Sequence, residues 1–149
     1  MRRLIPVALI LALLLAACGA PESGIEGVAA ENYPRINGSE DAMPLIQLVF
    51  ERVHTQYSGG DYPTEALGAE ESYEALLAGE LELVIAPYPG EDVLAAAESA
   101  GTELEPQALE YGGLYAVTLA GLSEDDPARL VADWLLSDEA AAEIEPALA

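Results

Sequence analysis

Apolar and polar positions in this chain fall into three patterns: one long apolar run, a patternless stretch, and alternating helix-like and strand-like segments. The run spans Leu4 to Ala17, broken only by Pro6, and follows Arg2 and Arg3. Residues 18–32 are small and polar, without a period. Tyr33 to Asn37 reads as a short extended segment, because Pro34 holds its predecessor out of the helical region, and it stops at Asn37-Gly38. Ser39, Glu40 and Asp41 then form a helix start, with acids facing the positive end of the dipole. Pro44 fits only a first turn, and Leu45, Leu48, Val49 and Val53 fall on one face at helical spacing.

A loop rich in glycine and proline follows from Ser58 to Gly68. A second helix spans Glu70 to Ala78 and is capped by Gly79. Leu81 to Ala86 is a strand closed by Pro87 and Pro89. Glu91 to Ala100 is an alanine-rich helix ending at Gly101, and two strands follow around 102–109 and 114–119. Asp126-Pro127 opens a further helix whose buried face is Ala128, Val131, Trp134 and Leu135, and Ser137-Asp138-Glu139 caps one more short turn. Strands alternating with helices predict an α/β fold around a largely parallel sheet. The expected division is a leader at 1–17, a flexible tether at 18–32 and one folded lobe at 33–149.

The leader has a positive head, an apolar stretch too short to span a bilayer and small residues before a cleavage point, as a secretory signal does. It ends Leu15-Ala16-Ala17-Cys18-Gly19, which resembles the bacterial lipobox. That resemblance implies cleavage before Cys18, lipidation of its thiol, export, and anchoring to the extracytoplasmic face of the bacterial cell membrane. Cys18 is the one cysteine in the chain, so no internal disulfide can form.

Charge narrows the partners. The chain has 27 Asp and Glu against 5 arginines and no lysine, a formal charge of −22. Two of the arginines belong to the leader, so the 132 residues after it hold three against 27 acids and carry −24. A phosphate backbone must be met by clustered cations, so nucleic acid is excluded. The 52% hydrophobic content separates this chain from acidic disordered sequences.

Catalytic chemistry finds little support. His54 is the sole histidine, near a helix end, and no serine sits in a Gly-x-Ser-x-Gly elbow. One histidine and a lipid-bound cysteine make a poor soft-metal site. Glu40-Asp41, Glu91-Asp92 and Glu124-Asp125-Asp126 do not alternate as a calcium loop requires, and they stand where helix starts prefer acids. No enzyme activity, metal or cofactor is expected.

Four collinear blocks point to binding instead. Tyr33-Pro34-Arg35-Ile36-Asn37-Gly38-Ser39, followed by Pro44-Leu45, resembles the opening of phosphate-type periplasmic substrate-binding proteins. The similarity continues through Ser72-Tyr73-Glu74-Ala75-Leu76-Leu77-Ala78-Gly79-Glu80 and the strand after it, through Pro89-Gly90-Glu91 with 97–105, and through Pro127-Ala128-Arg129 with 133–139. It implies one lobe of a type 2 periplasmic-binding-protein fold, a small oxyanion such as phosphate as ligand, and an ABC permease as partner. The ligand would be met at Gly38, Ser39 and Glu40, where a turn into a helix offers N–H groups and a hydroxyl.

The chain departs from that family at two places. Glu40 and Asp41 replace small or hydroxyl residues beside the anion position, and Ala69 replaces a hydroxyl residue ahead of Glu70 and Glu71. Nor is there room for the second lobe that closes on a ligand, so weak binding is expected, or a second lobe from another chain. A ligand-free accessory or scaffold lipoprotein on the same lobe is the alternative.

Overall fold

The structure is a computed structural model and describes residues 24–148. The expected tether residues 18–23, the leader and Cys18 lie outside the described residues. Four strands, β1 (Ile36–Gly38), β2 (Leu83–Pro87), β3 (Leu104–Ala108) and β4 (Leu114–Leu119), form one sheet in the order β1-β2-β4-β3. Helices α1 (Met43–Val53), α2 (Ala69–Leu77), α3 (Glu91–Ser99), α4 (Pro127–Leu135) and α5 (Asp138–Leu148) flank it.

β2 organises the core. It is a continuous apolar run, and Leu83, Val84, Ile85 and Ala86 are all fully buried. Alternation sends Leu83 and Ile85 into one cluster, with Leu45, Val49, Val131, Leu135 and Ile144 from α1, α4 and α5. Val84 and Ala86 join Tyr73, Leu76 and Val117 in a second cluster beside α2. A strand buried on both faces makes three layers, and each such Leu or Ile contributes roughly 1.5–3 kcal/mol relative to exposure.

The expected largely parallel sheet is corrected to a mixed one. Only β1 and β2 pair in parallel; β2 with β4, and β4 with β3, are antiparallel. The five-residue connection from Leu109 to Gly113 is too short for a parallel crossover, so β3 and β4 must form a hairpin. Gly112 and Gly113 have positive φ there, and the Leu109 N–H donates to the Leu114 carbonyl at 3.0 Å. β1, β2 and β3 still run in one direction, and β4 is laid between β2 and β3 against them.

Two further expectations change. The segment before Tyr33 is folded from Gly24 onward: Ile25 and Val28 are only 6% and 9% exposed, in the main core cluster. A turn closed by Val28 N–H to Ile25 C=O (3.0 Å) puts both apolar side chains on the lobe, and Arg52 Nε donates to the Gly24 carbonyl at 2.9 Å. Two isolated apolar residues are enough to dock a short segment when a turn points them the same way. The terminal helical turn is also longer than expected. α5 runs eleven residues, started by Ser137 Oγ, which accepts from the Ala140 N–H at 3.2 Å, and buries Ala140 and Ile144. On α1, Ile46 and Phe50 are buried with Leu45 and Val49, while Leu48 and Val53 are only partly so. Among the described residues no helix is long and apolar enough to cross a membrane.

Candidate functional site

The site predicted at Gly38-Ser39-Glu40 lies where β1 leaves the sheet. Gly38 is paired with Ile85, and a Cβ on it would stand 1.8 Å from the Ile85 carbonyl oxygen. Glycine is therefore demanded by space between β1 and β2. Ser39 follows as the residue capping a 3-10 turn, Glu40–Ala42, that runs into α1, with Pro44 in the helix's first turn as expected.

The backbone donors expected to meet an anion are partly engaged. The Ser39 N–H donates to the Ile85 carbonyl at 3.1 Å, and the Gly38 N–H to Asn37 Oδ1 at 2.8 Å. The N–H groups of Glu40 and Asp41, at the head of the turn, are the ones a helix start leaves without an internal partner. Ser39 Oγ makes no cap bond; it is buried and has no hydrogen-bond partner. The side chains of Glu40 and Asp41 are on exposed residues at the same turn.

A second helix start is tied to this one. The Gly68 N–H donates to the Gly38 carbonyl at 3.0 Å, and Asn37 Oδ1 accepts the Leu67 N–H at 3.0 Å. The loop before α2 is thus stitched to the end of β1. Four residues on, Ser72 is fully buried and its hydroxyl is also without a partner. Sequence reasoning placed Ser72 inside a family block but gave it no role. Its signal was a serine in the first turn of a helix, one residue before a buried tyrosine.

Beyond that tie lies an open cleft of about 400 Å³, at the C-terminal end of β2 between the first turns of α2 and α3. Pro87 and Tyr88 supply its exposed apolar surface over the buried Tyr73, and Glu70, Glu91 and Asp92 its charge. The Tyr73 hydroxyl donates to the Pro87 carbonyl at 2.6 Å, and burial raises its pKa well above the usual tyrosine value. The Tyr88 ring is 54% exposed and meets Tyr115 edge-on at 5.2 Å. The sequence gives neither tyrosine a role: Tyr88 stands between Pro87 and Pro89, outside any period, and Tyr73 reads only as part of a helix.

The three arginines of the described residues are engaged elsewhere. Arg35 pairs with Glu82 at 3.0 Å and the Gly79 carbonyl at 3.1 Å, and Arg129 approaches Asp133 at 3.9 Å. Arg52, only 7% exposed in its side chain, joins Glu139 and Glu143 of α5 and lies over Trp134 at 5.0 Å. His54 closes α1, its ring stacked on Phe50 at 3.9 Å and its Nδ1 3.0 Å from the Phe50 carbonyl. Among the described residues no group of three or more histidine, cysteine or acidic side chains is placed to hold a metal ion.

No protein family, curated protein or solved structure matches this chain.

Proposed function

We propose that this chain is a lipid-anchored, extracytoplasmic solute-binding lipoprotein, resembling the phosphate-type component of an ABC transporter and reduced to a single lobe of the type 2 periplasmic-binding-protein fold. Cys18 is its anchor, and a permease or a second lobe supplied in trans is its partner. The ligand position is the end of β1, at Gly38, Ser39 and Glu40. One observation carries the reading: two helix starts converge at the Gly68–Gly38 hydrogen bond, each with a serine hydroxyl, Ser39 and Ser72, lacking a partner. A buried hydroxyl without a partner costs stability, and an oxyanion beside it would relieve that cost.

The test is calorimetric titration of the purified chain with phosphate and sulfate. Weak binding is expected, abolished by Ser39→Ala and strengthened by Glu40→Thr, which removes a repelling carboxylate. Absence of heat with every oxyanion tried would refute the ligand assignment. The second reading, a ligand-free accessory lobe, draws support from the Ser39 N–H already bonded to Ile85 and from the closure of Ser39 Oγ to solvent. Crosslinking in intact cells that recovers a membrane partner, together with no oxyanion binding, would select it.

A further inference from the structure

We infer that the cleft between α2 and α3 is a binding site for an organic ammonium group, such as a quaternary amine. This goes beyond the oxyanion reading and uses different groups. Acids at helix starts are ordinary by themselves; what sets these apart is the concave surface they surround and the one exposed aromatic ring on it, Tyr88. The cleft has the volume of a small-ligand pocket, and its exposed apolar wall is formed by Pro87 and Tyr88, with the buried Tyr73 packed beneath them. Tyr88 is a large ring left more than half exposed, held by an edge contact to Tyr115.

Charge decides which ligand fits. Two helix N-termini bring roughly half a positive charge each. Against them stand the three carboxylates of Glu70, Glu91 and Asp92, so the local balance is negative. No arginine lines the cleft, and all three arginines of the described residues make their contacts elsewhere. A cation over an aromatic face is attracted by the ring quadrupole, and an alkylated one loses little hydration in an apolar cleft. For an anion the three carboxylates outweigh the attraction of the two helix starts.

The experiment titrates the purified full chain with tetramethylammonium chloride, followed by calorimetry and by NMR shifts of the tyrosine rings. Millimolar binding that weakens with added salt is expected, with the largest shifts at Tyr88. Tyr88→Ala should weaken it about fivefold, Tyr88→Phe should retain it, and Glu91→Gln should weaken it about threefold. Tyr88 and Glu91 are both exposed, so these variants leave the core untouched. The inference is overturned if no binding is seen at tens of millimolar, if inorganic ammonium binds as tightly, or if Tyr88→Ala changes nothing. Phosphate binding without tetramethylammonium binding removes this inference alone; the reverse pattern supports it and removes the oxyanion reading.

Discussion

Replacing Gly38 by alanine tests whether the end of β1 is built by packing or by ligand. The added Cβ would lie 1.8 Å from the Ile85 carbonyl oxygen and 2.8 Å from its carbon, whereas ordinary contact begins at 3.4 Å. Both neighbours are backbone, so no side chain can swing away. β1 must retreat from β2 by roughly 1.5 Å, the kind of overpacking that costs about 1–3 kcal/mol. That movement also stretches the Ser39 N–H bond to Ile85 and the Gly68 N–H bond to Gly38, at 3.1 and 3.0 Å. Each contributes about 1 kcal/mol, giving a total loss of roughly 3–5 kcal/mol. Against a stability of about 5–15 kcal/mol this is a large fraction. Urea unfolding followed by far-ultraviolet circular dichroism should show the midpoint falling by about 2 M, for a slope near 1.5–2 kcal/mol/M. Gly59→Ala is the control: nothing lies within 4 Å of its Cβ, so stability should change by less than about 0.5 kcal/mol. A loss below about 1 kcal/mol for Gly38→Ala, with an unchanged slope, would refute the steric account and return Gly38 to a purely ligand-directed role.

Two other perturbations follow from the packing. Arg52→Met removes the cation that joins α1 to Glu139 and Glu143 of α5 and to the Gly24 carbonyl; a loss of about 2–3 kcal/mol is expected in the same urea assay, moderated because both glutamates can rehydrate. Tyr33→Phe deletes a buried hydroxyl that has no partner, and should leave stability unchanged or raise it by about 1 kcal/mol; a clear loss would show that the hydroxyl is satisfied. Burial also raises the Tyr33 pKa far above its usual 10, so the folded state keeps the proton while the unfolded chain releases it. Its contribution is fully present below pH 10 and is lost as pH rises above that, so the urea midpoint should fall more steeply beyond pH 10 in the parent than in Tyr33→Phe.

How far the sequence reaches can be read element by element. Helix and strand positions followed from local rules: Pro44 in a first turn, Gly79 after a helix, and Asp126, whose Oδ1 accepts the Ala128 N–H at 2.9 Å. The strand expected at Leu81 to Ala86 is β2, Leu83–Pro87, and its burial on both faces is what the structure adds. Periodicity says which face of an element is apolar but not which neighbour covers it, so the mixed pairing and the docking of Ile25 and Val28 were missed. The β3–β4 hairpin was legible in principle, because five residues cannot cross a sheet. On α1 the expected Leu45 and Val49 are buried, but Ile46 and Phe50 join them where Leu48 and Val53 were expected: Ile46 and Leu48 are equally apolar, and only the sheet beneath chooses between them.

The candidate site divides the same way. Ser39 at a helix start and the acids at 40, 41, 70, 91 and 92 are properties of the sequence, as is the export signature ending at Cys18. That Gly38 is a spacer, that Gly68 bonds back to it, and that Tyr73 and Tyr88 share one cleft with Glu70, Glu91 and Asp92 are decisions of the tertiary structure. Local chemistry fixes what each residue can offer within a few positions of itself. Which offers meet depends on contacts across tens of residues, and those are set only when the two faces of β2 are buried.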